Sequence, residues 1–293
     1  MPKSTNPAGT VKIRPLGPDD ADSAYSVMVA AFSELGERLG LRAEPWPPPA
    51  TGRLRIEHLA GTDPGGAWMA VDGDGGAVGC ALALMREGLW GLSLLVVRPD
   101  DQSRGIGRGL LDRAWSYGDG ARGAVILSSP DRRALRAYAR LGLALHPTVT
   151  AKGQPRRVTM PPGIRPGSPD DLELTAAIDR KVRGAAHGPD IEALTRSASR
   201  MLVLPGRGYV IVREGDVRLL AAADEDAAVL LLRAALAAAG DREATVEWIT
   251  AGQNWAVGPC LDAGLELHTN AGAVFLGGDV GPFTAYLPNG AYL

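Results

Sequence analysis

The sequence predicts an α/β protein built as two tandem units, each a mixed β-sheet flanked by helices. Three observations carry this: an internal repeat, an alternation of β-rich and helical stretches, and a length that accommodates two units. The chain has 293 residues, 45% hydrophobic and 22% charged, which describes a soluble globular protein of one large domain or two of about 150 residues each. The repeat decides between them. Ile13 to Asp20 (IRPLGPDD) returns as Ile164 to Asp171 (IRPGSPDD), and LGLALHPT at 141–148 returns as AGLELHTN at 263–270. Two echoes in the same order mean a duplicated unit with a period too long for a solenoid. Between the echoes the second copy is shorter by 29 residues. The expected domains are residues 11–158, residues 159–280 and a C-terminal tail, 281–293.

In the first copy VKIRPL reads as a strand, and Asp19 and Asp20 open a helix whose positive end they favour. TGRLRIEHLAG is a second helix. AWMAVDGDGGAVGCALAL is two strands around a Gly-Asp turn, and GLSLLVVRP is a further strand ended by Pro99. A glycine-rich loop, the helix IGRGLLDRAWSYG, the strand AVILSS, the helix DRRALRAYARLG and a final strand LALHPTVTA complete the unit. Hairpin strands followed by a βαβ passage imply a mixed sheet.

Charge and cysteine content exclude several classes. A net charge of −2 lacks the basic excess of a nucleic-acid binder and supplies no attraction to an anionic membrane. No apolar run approaches the roughly 20 residues that cross a bilayer, and the start MPKSTNPAGT does not read as a secretory signal. The two cysteines, Cys80 and Cys260, make neither a disulfide framework nor a closely spaced metal pair. The expected setting is cytoplasmic, with no metal.

The chemistry is concentrated in LSLLVVRPDDQSRGIGRGLL, residues 92–111. An apolar strand runs into QSRGIG, which opens straight into a helix, so that main-chain N–H groups and the positive helix end converge on an anion such as a diphosphate. Gly105 and Gly107 remove the Cβ atoms from its approach, and Arg104 and Arg108 add charge-assisted contacts. A P-loop requires Gly-Lys-Ser/Thr, and no lysine lies between Lys12 and Lys152. The dinucleotide fingerprint fails on glycine spacing and on the absence of an acidic end to the next strand.

The arrangement resembles the GNAT acyltransferase superfamily. Its Q/R-x-x-G-x-G/A signature stands as Gln102, Gly105 and Gly107 after Val97-Arg98-Pro99, and its second signature matches Asp131, Ala134, Tyr138 and Gly142. The resemblance covers about residues 11–150. It implies acetyl-CoA or a related acyl-CoA as co-substrate, held at the pyrophosphate by amides of Ser103, Arg104, Gly105, Ile106, Gly107 and Arg108, with the pantetheine arm pairing along Leu95, Val96 and Val97. It implies Tyr138 as the general acid that protonates the departing thiolate. Asp131 stands where the family often has asparagine, a polar contact to the cofactor. The acceptor implied is an amine of a small molecule or peptide, and the assembly a monomer or homodimer.

A general base is harder to find, because GLWGLSLLVV holds no carboxylate where the family often places a glutamate. Glu87, Glu57 and His58 are weak candidates, as is a Leu293 carboxylate, since tandem members of the family can bring a chain end into the cleft. The acceptor region falls near Glu44, Trp46, Glu57 and His58. In the second copy Cys260 aligns with Tyr138 and Gln253 with Asp131, and Asp224, Glu225 and Asp226 replace the glycine loop. That copy is expected to be degenerate, unable to hold CoA in the family's manner, with Trp248 and Trp255 as core or interdomain contacts. His146 and His268 share a structural place. The leading expectation is an N-acetyltransferase; the alternative is a non-catalytic acyl-CoA sensor or partner protein.

Overall fold

A computed structural model describes residues 11–40, 48–196 and 199–293. In chain order the elements are β1 (Lys12–Pro15), α1 (Ala21–Arg38), α2 (Pro49–Thr62), β2 (Ala67–Val71), β3 (Ala77–Arg86), β4 (Leu89–Val97), α3 (Ile106–Ser116), β5 (Gly123–Ser128), α4 (Arg132–Ala139), β6 (Ala144–Pro147) and β7 (Val149–Gly153). The second copy follows as β8 (Arg165–Pro166), α5 (Leu172–Val182), α6 (Asp190–Arg196), β9 (Arg200–Leu204), β10 (Gly208–Arg213), β11 (Asp216–Ala222), α7 (Glu225–Ala239), β12 (Ala244–Ile249), α8 (Val257–Asp262), β13 (Glu266–His268), β14 (Ala273–Gly278) and β15 (Tyr286–Leu287). This is the mixed α/β architecture expected.

The chain divides into two compact units. Of the described residues, one comprises those of 11–84 together with 92–119, the other those of 85–91 and 120–293. In the first, β1 pairs antiparallel with β2 and β2 with β3. The predicted hairpin is present, with the Asp72 carboxylate accepting from the amides of Asp74 and Gly76 inside its turn. On α1, Ala21, Ala24, Tyr25, Val27, Met28 and Ala31 are buried at helical spacing. Gly52 brings α2 against that stripe: a Cβ there would lie 2.6 Å from the Tyr25 ring.

The repeated IRPxxPDD motif acquires a physical meaning. In each copy the arginine forks onto the final aspartate, Arg14 on Asp20 at 2.7 Å and Arg165 on Asp171 at 2.6 and 2.8 Å. That aspartate also accepts the amide three residues earlier, Gly17 or Ser168. The motif is thus a clamp that starts a helix.

In the second unit one eight-stranded sheet carries β13-β7-β12-β11-β10-β9-β8 with β15 beside β11, and β14 lies between β5 and β6. The predicted strand over LALHPTVTA is therefore two strands in different sheets. Pro147 ends β6, the amide of buried Thr148 donates to the Gly272 carbonyl at 3.1 Å, and β7 leaves to pair with β12 and β13. The copies exchange strands: β7 of the first serves the second sheet, and β14 of the second enters the first. Gly272, at φ +108°, permits the crossing, since a Cβ there would sit 2.0 Å from the Ser128 carbonyl oxygen. The two histidines do share a place. His146 faces Val274 and His268 faces Thr150, each on an exposed strand at its sheet's end.

Candidate active site

Along β4 burial alternates at the end of the strand, with Leu94 and Val96 buried and Leu95 and Val97 half-buried. After Pro99 a short 3-10 turn brings Asp101 inward, where it accepts from Arg98 Nε and Arg104 Nη1, both at 2.6 Å. Gln102 Nε2 donates to the Val97 carbonyl at 3.0 Å and ties the loop to the strand end. The chain then turns at Ser103 (φ 65°) and Gly105 (φ 83°), and α3 begins at Ile106 with no side-chain cap. An L-residue strains at such a φ, which is why glycine serves at 105. Gly107 presents its main chain with only Val97 Cγ2 near the position of a Cβ, at 3.5 Å.

The positive end of α3 thus carries no side-chain cap, the condition that favours an anion there. The arginines divide their roles. Arg104 is held by Asp101, whereas Arg108 is exposed, with Asp112 3.9 Å away.

Tyr138 lies in the other unit, on α4, 6% exposed and edge-on to Phe275 of β14 at 5.8 Å between ring centroids. Burial first, and the Asp131 charge second, push its phenol above the usual range. The exchange thereby supplies the aromatic wall of Tyr138 from the second copy. Asp131 is the N-cap of α4. It accepts the Arg133 amide at 2.9 Å and pairs with the Arg133 guanidinium.

Glu87 sits at the tip of the β3–β4 hairpin at φ 48°. Its carboxylate is gripped by Arg180 at 2.6 Å and accepts the Ala186 amide at 3.0 Å. Arg180, and then Ala186, hold its pKa below the usual carboxylate range. A carboxylate so held is a poorer base, and the grip describes a fastening. Next to it Arg86 forks onto buried Asp190 at 2.7 and 2.8 Å.

Of the remaining base candidates, Glu57 is exposed and His58 half-buried on α2. Glu44 and Trp46 lie outside the described residues. The Leu293 main-chain oxygen is buried in the second unit, 2.7 Å from both His187 Nε2 and the Tyr286 hydroxyl. Sequence reasoning missed Arg55 and Ser93. Arg55 of α2, 7% exposed, donates through Nε to Ser93 Oγ at 2.9 Å and through Nη2 to the Ser93 carbonyl, so a buried cation lies against the strand that lacks a carboxylate. Its signal was a charged residue within the buried stripe Gly52, Ile56, Leu59 and Ala60. Cys80 is fully buried on β3, and burial pushes its thiol up to about 12.

In the second copy Cys260, at the Tyr138 position, is fully buried with its thiol likewise pushed up to about 12. Gln253 and Trp255 bind main chain, the former donating to the Phe283 carbonyl and the latter to that of Thr284 at 2.6 Å. Among the described residues no cluster of His, Cys, Asp and Glu has metal-binding form, and no helix is long and apolar enough to cross a membrane.

The strand, the capless helix start and the mixed sheets form an α/β fold, and comparison with known proteins gives its class. The model of the acetyltransferase (GNAT) domain matches residues 63–142. A mycothiol acetyltransferase of Clavibacter michiganensis is 30% identical over 245 residues, covering 73% of this chain and 78% of that protein. A putative acetyltransferase from Pyrococcus horikoshii shares the fold over 100% of this chain and 98% of its own, with a TM-score of 0.77 at 19% identity. A GCN5-related N-acetyltransferase from Sphaerobacter thermophilus matches 92% of this chain and 95% of its own with a TM-score of 0.56 at 16% identity. The chain belongs to the GNAT superfamily. It is an N-acetyltransferase of that type, in a tandem arrangement.

Proposed function

We propose that the first copy transfers acetyl from acetyl-CoA to an amine by direct attack. The observation that carries this reading is the start of α3, which has no side-chain cap and is entered through Gly105 in the left-handed region. The amides of Ser103 to Arg108 take the pyrophosphate, Arg108 adds charge at the rim, and Leu95 to Val97 pair with the pantetheine arm as an added strand. The amine nitrogen attacks the thioester carbonyl carbon and a tetrahedral oxyanion forms. Then the C–S bond breaks, the amide is released and Tyr138 gives its proton to the CoA thiolate. A phenol with a raised pKa stays protonated at neutral pH, as an acid must. The nitrogen's surplus proton leaves to solvent or to a base that we do not assign to Glu87.

The name of the Clavibacter relative makes the acceptor of that enzyme the first amine to assay. Incubation of the protein with acetyl-CoA and a panel of amines, read by mass spectrometry, is expected to give one acetylated product. The absence of a carboxylate on β4, where Ser93 stands instead and is bound by Arg55 of α2, favours a second reading as an acyl-CoA sensor. Slow hydrolysis of acetyl-CoA by the purified protein supports the enzyme. Tight CoA binding without hydrolysis or transfer supports the sensor.

A further inference from the structure

In the second copy, β11 and β12 run parallel and share register at Val217 and Val246. Beyond that point β15 pairs antiparallel with the end of β11, Leu287 opposite Leu220 and Tyr286 opposite Ala221, and the Ala222 amide donates to the Ala285 carbonyl at 3.0 Å. The pairing extends through Asn289, whose Nδ2 donates to the Arg218 carbonyl at 2.7 Å. Leu220 to Ala222 are the last three residues of their strand before its helix, as Leu95 to Val97 are in the first copy. They are the residues along which a pantetheine arm would add itself.

The helix start is filled as well. Asp224 caps α7 by accepting the Ala227 amide at 2.8 Å, and Arg207 pairs with the same carboxylate at 2.6 Å. The first copy has a capless glycine there. The inserted segment is firmly held. Trp255 and Gln253 bind its main chain, and Phe283 stands edge-on to Tyr286 at 5.1 Å. His187, itself bound to Asp179 at 2.8 Å, meets the Leu293 oxygen. Ala285, Tyr286, Leu287 and Asn289 are at most 3% exposed.

We propose that residues 284–290, with Asp224, are a built-in substitute for the cofactor in the second copy: main chain replaces the pantetheine arm and a carboxylate replaces the pyrophosphate. The chain therefore holds one acyl-CoA site. This rests on the reading of the first copy given above, and it places the occupant of the second cleft in the chain itself rather than leaving that cleft open and merely repulsive.

The test is calorimetry with CoA on the full chain and on a variant carrying Asp224→Ser, Glu225→Ser and Asp226→Ser, with hydrogen exchange followed by mass spectrometry. The proposal expects one CoA per chain for both proteins. It expects peptides over 218–222 and 284–289 to exchange slowly without CoA and unchanged with it. A second CoA bound by the triple-serine variant overturns it, because charge repulsion alone would then have kept the cleft empty. Rapid exchange at 284–289 in the free protein, or a CoA-dependent change at 218–222, overturns it too. Failure of the first-copy reading shows elsewhere: peptides over 95–108 would gain no protection with CoA.

Discussion

Gly105 and Gly107 bear different loads, and substitutions separate them. Gly105 needs its left-handed φ, so Gly105→Ala is expected to strain the loop by about 1 kcal/mol and to lower both the melting temperature and CoA affinity. Gly107 lies in the helix with room for a methyl. Gly107→Ala should therefore keep or raise stability by up to about 1 kcal/mol while weakening CoA binding by about tenfold, or 1.4 kcal/mol. Unchanged affinity by calorimetry would remove the phosphate from these amides. Tyr138→Phe keeps the ring against Phe275 and removes only the hydroxyl, and with it the proton to be donated. It is expected to lower kcat by about 100-fold, the low end of general-acid contributions, with the CoA dissociation constant unchanged. The motif residues were legible in the sequence because glycine and a tyrosine at fixed spacing serve local backbone and chemical needs. Arg55 was not, because only the packing of α2 reveals that its guanidinium turns inward to Ser93.

Each copy's first helix is started by an Arg–Asp clamp, and the clamp titrates. Arg165 chiefly, with help from the Ser168 amide, lowers the Asp171 carboxyl to about 2. A carboxylate whose folded pKa lies below its unfolded value of about 3.9 stabilises the fold above that value and ceases to do so as pH falls to about 2. Urea midpoints of the wild type and Asp171→Asn are expected to differ most above pH 4 and to converge towards pH 2. The β3–β4 hairpin tip is fastened through Arg86 and Asp190. Asp190→Ala leaves a buried guanidinium without its carboxylate and is expected to cost about 3–5 kcal/mol, whereas Arg86→Met with Asp190→Leu recovers most of that stability. Strands, helices and the first hairpin were readable from period and turn chemistry. The break at Pro147 was not read as a change of sheet, because a proline reports a lost donor and not the strand's next partner.

At the scale of the whole molecule, the exchange of β7 and β14 makes the copies mutually dependent. A fragment of residues 11–158 lacks β14, leaving β5 and β6 with unpaired main chain and Tyr138 without Phe275. Such edges invite aggregation. Size-exclusion chromatography is expected to show the fragment as aggregate, and co-expression with residues 159–293 to return a discrete species. Observation of a monomeric, cooperatively unfolding 11–158 fragment would contradict this.

The sequence by itself determined the duplication, most of the strands and helices of the first copy in their order, and the glycine-rich turn that opens α3. These rest on interactions within a few residues: the Arg–Asp clamp, the left-handed glycine and the alternation of apolar side chains. Only the tertiary structure decided which sheet receives β7 and β14, what Glu87 binds, and that the segment after residue 281 lies as a strand on β11. Main-chain hydrogen bonds join partners far apart in the chain without regard to side-chain identity, so neither composition nor spacing records them.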